Sequence, residues 1–186
     1  MYGMVNLAIQ EMFTKRFGET VWQEIKERAA PGIDHFLTME QYPDDVTQGM
    51  MMTASEISGD SIMALMEDVG EYFVGFALHS GYGELLRIIG TTLPETLSNL
   101  DNMHARVGLS FPDLRPPTFW CTDVDEHSLV LHYQSVRDGL GPMIPGTVRG
   151  LATMLKTTAT VEWIASRTDG ADHDQFLVTF GIEKQE

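Results

Sequence analysis

Cysteine is almost missing from this chain: Cys121 is the only one among 186 residues. That excludes an internal disulfide and a cysteine-rich zinc cluster, and makes a reduced compartment, by default the cytoplasm, the expected location. Basic residues are also scarce. Lys and Arg number 12 against 27 Asp and Glu, a formal charge of -15, and such a field opposes nucleic acid and anionic lipid surfaces. An anionic ligand would need a locally basic site. Long apolar runs are missing as well, since no segment approaches the ~20 apolar residues that cross a bilayer. The start, "MYGMVNLAIQEMF", lacks a basic flank and carries Asn6, Gln10 and Glu11 at helical intervals, so neither a signal peptide nor an anchor is expected. What remains is 43% hydrophobic and 21% charged, the composition of an ordinary globular protein long enough for one packed domain or two subdomains sharing a core.

The first hundred or so residues have the period of helices. "VNLAIQEMFTKRF" puts Val5, Ala8, Ile9, Met12 and Phe13 on one face, and "ETVWQEIKERA" does so with Val21, Trp22 and Ile25. "DVTQGMMMTASEIS" and "DSIMALMEDVGEYFVGFALHS" also read as helices, the second apolar around much of its circumference, as for a helix lining a large core or cavity. A further helix is expected from about 93 to 107, with Thr92 and Glu95 as a capping box, Pro94 in the first turn and a stop at Gly108. The prolines of "PDLRPPTFW" mark a change of organisation. Strands follow at "PTFWCTD", "SLVLHYQS", "TATVEWIAS" and "DQFLVTFGI", with a helix over about 144–156 between the second and third. The expected fold is α+β: one domain over 1–186, with a mainly helical part to about 110 packed on an antiparallel sheet and its covering helix.

Two features could carry chemistry. His104 falls at nearly the same helical angle as Leu93, Leu97, Leu100 and Val107, so it faces the core. A buried histidine bonded to backbone accounts for that position, and so does a ligand to haem iron, which wants one imidazole and a flat apolar surround. The second feature is "LHYQSVRDGL", where Tyr133, Ser135 and Arg137 alternate. On an extended strand they would form a line of donors about 13 Å long on one face, suited to an extended anion such as a pair of haem propionates. An incidental alternation on a solvated face explains the same spacing. The case for haem rests on the two features occurring together.

The segments "MYGMVNLAIQ", "GYGELL", "NLDNMHARVGLSFPDLRPPTFWCTD", "LHYQSVRDGL" and "DHDQFLV" resemble, in order and from end to end, the H-NOX domains. These are haem-based nitric oxide and oxygen sensors that include the haem domain of soluble guanylate cyclase, and the likeness is closest to cyanobacterial stand-alone domains and the cyclase β subunit. The resemblance implies a non-covalent b-type haem buried between the two parts, with His104 as proximal ligand and Tyr133, Ser135 and Arg137 as the propionate clamp. It implies that Pro117 presses on the porphyrin, that Met143 and Phe73 lie in the gas pocket, and that Tyr2 and Val5 also contact the cofactor. Oxygen-binding members use a tyrosine where this chain aligns Met143, and neither Met143 nor Phe73 can donate a hydrogen bond. NO, and more weakly CO, are therefore the expected ligands, with dioxygen excluded. The signal would pass to a separate protein such as a histidine kinase or a cyclase.

Other residues reduce to structure. Cys121 reads as a small strand residue, Met50 to Met52 as packing, and Asp44, Asp45, Glu67 and Asp68 as solvated helix faces. Some relatives hold zinc near "DHDQF" with several cysteines, which His173 lacks here, so no metal beyond haem iron is expected. The competing class is a haem-free small-molecule module of the vinyl-reductase-like type. A haem peroxidase is a third reading, disfavoured because no acid-base His and Arg pair is evident on the gas side; no enzyme is expected.

Overall fold

In a computed structural model that describes residues 1–111 and 113–182, the chain forms eight α-helices, one short 3₁₀ turn and four strands among the described residues. Helices α1 (Gly3–Phe17), α2 (Glu19–Ala29), α3 (Asp44–Ser58) and α4 (Ile62–His79) pack around Ile9, Phe13, Trp22, Ile25, Met50 and Leu65. The period predicted this face: Ala8, Ile9, Met12 and Phe13 of α1 are all buried. No described helix is long and apolar enough to cross a membrane.

Helices α5 (Gly83–Ile88), α6 (Leu93–Ser98) and α7 (Leu100–Gly108) precede the sheet of β1 (Thr118–Thr122), β2 (Ser128–Gln134), β3 (Thr157–Ala165) and β4 (Asp174–Ile182). The strands are antiparallel in the order β1-β2-β4-β3, and α8 (Met143–Met154) joins β2 to β3. Leu129, Leu131 and Tyr133 of β2 alternate inward with Phe119, Phe176 and Val178 into a second core shared with α6 and α8. The α+β reading is correct. Helix α4 joins the two cores, giving Leu65 and Val69 to the first and Val74 and Ala77 to the second.

Two local expectations change. The helix predicted over about 93 to 107 is two helices, broken at Asn99 (φ -100, ψ 3), whose side-chain amide donates to the Ile89 carbonyl at 2.8 Å. An asparagine with a tertiary acceptor in reach leaves the helical conformation readily. The cap is also shifted: Thr92 Oγ1 accepts from Glu95 N at 3.4 Å, but Glu95 reaches back to the Thr91 N–H, at 2.7 Å, rather than to Thr92. Pro112, the first of the three prolines, lies outside the described residues.

Helices α4 and α8 touch backbone to backbone. A methyl group placed on Gly146 would lie 1.8 Å from the Glu67 carbonyl oxygen, and one on Gly70 would lie 2.1 Å from that of Met143. Only glycine permits this approach. Arg149 Nε donates to Glu71 Oε2 at 3.1 Å across the same seam, and Arg149 Nη1 to Glu67 Oε1 at 2.5 Å.

Candidate haem site

A cavity of about 280 Å³ opens between the two cores. The helix α7 brings His104 to its wall, with Leu100 and Val107 one turn either side and Met103 next to it. Strand β2 and the loop beyond it contribute Tyr133, Ser135 and Arg137, while Pro117 lines it just before β1. From the helical side come Tyr2 and Val5 at the start of α1, Phe73 of α4 and Met143 of α8. All nine sequence-predicted site residues thus face one space.

His104 is held from two directions. Asp101 Oδ1, one turn earlier, accepts the Phe119 N–H at 2.7 Å and ties α7 to β1. The His104 ring stacks on Phe119 at 5.8 Å between centroids, and Phe119 in turn packs on Tyr133 at 5.3 Å. Its Nδ1 is buried without a hydrogen-bond partner. Burial pushes the imidazole below the ordinary histidine range, against a smaller opposing pull from Asp101, so the ring is neutral at pH 7. A neutral imidazole on an apolar wall is what a metal-bound planar cofactor requires.

The donor set departs from a straight strand. β2 ends at Gln134, and only Tyr133 of the three lies within it, paired with Phe119 on one side and Asp174 on the other. Ser135 is buried and its Oγ accepts the Arg137 N–H at 3.0 Å, folding the chain into a compact turn. Arg137 Nε donates to Asp44 Oδ2 at 3.0 Å and Nη1 to the Arg115 carbonyl at 2.7 Å. Burial pushes the Tyr133 phenol up, with Ser135 pulling the other way, so the hydroxyl keeps its proton. Asp44 was expected to lie on a solvated face, yet it is half-buried and caps this guanidinium; Glu67 is half-buried too and pairs with Arg149, while Asp68 lies on the solvated face as expected and pairs there with Arg16.

The nine residues left part of the wall unnamed. Tyr82 and Phe111 close one end, their rings 5.6 Å apart, with Tyr2 edge-on to Phe111 at 4.8 Å. Thr147 and Leu151 continue the line of Met143 along α8. The helical period of four from Met143 could have found those two; the aromatic closure joins residues far apart in sequence and left no such signal.

Across residues 2–163 the sequence matches the family described as Haem-NO-binding. The chain belongs to that family. Curated relatives of this H-NOX domain include soluble guanylate cyclase gcy-31 of Caenorhabditis elegans, 29% identical over 161 residues, 87% of this chain and 23% of the relative. Another is the guanylate cyclase soluble subunit beta-2 of Rattus norvegicus, 32% identical over 66% of this chain and 19% of that one. The domain therefore spans about a quarter or less of these relatives. Among solved structures, an H-NOX protein from S. oneidensis in the Fe(II)NO state matches with a TM-score of 0.88 at 16% identity, covering 97% of this chain and 99% of that one. The unliganded Fe(II) H-NOX protein from K. algicida matches at 0.84 and 18% identity, with both chains fully covered. The H-NOX fold extends over the whole domain.

Proposed function

We propose that this domain is a haem-based sensor of NO, with weaker CO binding and little affinity for dioxygen. The reading rests above all on the orphaned Nδ1 of His104, buried on the wall of an apolar cavity whose one polar edge carries Tyr133, Ser135 and Arg137. An unpartnered buried ring nitrogen costs about 1–3 kcal/mol, a cost that makes sense where the ring is turned for a ligand. The residues fit a b-type haem: His104 would hold the iron and Arg137 with the two hydroxyls the propionates, while Pro117 would meet the porphyrin.

Haem, when bound, supplies a ferrous centre that takes a diatomic ligand. Selectivity belongs to the protein. Phe73 and Met143 carry no donor, so nothing in those two positions stabilises the charge that dioxygen acquires, whereas NO needs no such help. Signalling would begin when His104 lets go, because α7 would then be tied to β1 through the Asp101 hydrogen bond to the Phe119 N–H and the packing of Leu100, without its link to the cofactor. That converts a local event into displacement of a surface helix, biasing a two-state element. The receiver would be a signalling partner in the cytoplasm, such as a histidine kinase or a cyclase, and the domain itself would be a sensor rather than an enzyme.

Absorption spectra of the ferrous protein test this directly. Under NO a five-coordinate nitrosyl spectrum is expected, and in air no stable oxy spectrum. A persistent oxy complex would overturn the selectivity, and absence of Soret absorbance after expression with ample haem would favour a haem-free binding module.

A further inference from the structure

Four side chains of α8 line the cavity: Met143, Ile144, Thr147 and Leu151. Only Thr147 is polar. Its Oγ1 donates to the Met143 carbonyl one turn back, at 2.9 Å, and the Gly70 carbonyl of α4 stands behind it at 3.5 Å. Both neighbours are acceptors, and a hydroxyl has a single proton to give. The close approach of α4 and α8 maintains this arrangement, since Gly70 brings its backbone against both the Met143 carbonyl and the Thr147 nitrogen. The hydroxyl proton is therefore drawn into the helix seam, and Thr147 lines the cavity with no proton left to offer it.

We infer that Thr147 is a specificity-determining residue of the gas pocket, presenting oxygen lone pairs rather than a donor to a bound diatomic. This rests on the haem-sensor reading and sharpens it. Lone pairs repel the negative charge that dioxygen takes from iron and leave the less polarised NO and CO almost untouched. Dioxygen would thus be rejected actively at Thr147, beyond the missing donor at Met143 and Phe73. A free threonine hydroxyl could donate to dioxygen, and the Met143 contact turns that sign.

The C–O stretching frequency of the ferrous carbonyl complex reads that sign. Lone pairs facing the ligand disfavour back-donation into CO and raise the frequency, whereas a donor lowers it. Thr147→Val, matched in shape but without oxygen, should shift the band to lower frequency and strengthen dioxygen binding relative to CO; Thr147→Ser should stay near the parent frequency. Thr147→Ala, should the valine variant fold poorly, is expected to shift in the same direction as valine. A shift to higher frequency would show that the hydroxyl donates to the ligand, and an unmoved band that it does not face it; either overturns the inference while leaving the haem site intact. Failure of the parent protein to form any carbonyl complex would overturn the sensor reading and this inference with it.

Discussion

At the scale of single residues, His104 places function against stability. Without a cofactor its Nδ1 remains buried and unpaired, so an apolar side chain of similar size should suit the empty protein better. His104→Leu is expected to raise the unfolding free energy of the haem-free domain by about 1 kcal/mol and to abolish a stable five-coordinate ferrous complex. Urea unfolding of the haem-free protein reads the first, and ferrous absorption spectra the second. A loss of stability would mean that the ring makes a contact of its own. Arg137 differs, because it is satisfied already by Asp44 and the Arg115 carbonyl; it needs no anion to remain folded, and any propionate must share or displace those partners.

At the scale of elements, the glycine seam between α4 and α8 sets the distance from Phe73 to Met143 across the cavity. Gly146→Ala would drive a methyl into the Glu67 carbonyl, 1.8 Å away, and backbone cannot yield as a flexible side chain does. A loss of about 3 kcal/mol or more is expected, with the helices forced apart. Gly75, exposed on the facing helix α4, has no atom within 4 Å of an added methyl, so Gly75→Ala should gain about 0.5–1 kcal/mol from helix propensity. Opposite signs in urea unfolding, from the same substitution on the two helices of one seam, distinguish contact from propensity. The helix α7 is a shorter element than its sequence suggests, because Asn99 separates it from α6. That break leaves the His104 segment with two turns and few anchors, as a moving part requires.

At the scale of the whole molecule, stability should depend on pH through His104 in the cavity and through groups outside it. On the outer sheet face His132 stacks flat on Trp120 (4.8 Å, 5°), its Nδ1 lies 2.8 Å from His173 Nε2, and its Nε2 lies 2.8 Å from Thr122 Oγ1. Burial, and then the charge of His173, push it below the ordinary histidine value, with Asp123 opposing. The unfolded chain therefore takes up a proton that the folded one resists, so stability should fall as pH drops below about 6.5, levelling beneath the lowered folded value. Thermal melts from pH 7.5 to 5 should show that slope, and His132→Gln should reduce it to the share that His104 supplies. Asp44 acts in a lower window. Burial works against its charge, but hydrogen bonds from the N-terminal ammonium and Arg137 hold its carboxyl below the usual range, so its contribution persists above about pH 4 and is lost below.

The sequence by itself determined the elements and most of the site. Period alone located α1 to α4, α8 and every strand, because each buries one face and that face must repeat at 3.6 or 2 residues. It also singled out His104, Tyr133, Ser135 and Arg137, the residues proposed to hold the iron and the propionates, since an imidazole on an apolar face and a row of donors are chemical types that no packing argument replaces. Tertiary structure decided what depends on two distant segments meeting. It broke α6 from α7 through the Asn99 amide and Ile89, gave Asp44 to Arg137, joined Tyr2, Tyr82 and Phe111 at the cavity wall, and gave the Thr147 proton to the Met143 carbonyl. A hydrogen bond belongs to a pair, and one sequence position carries no record of its partner until the chain has folded.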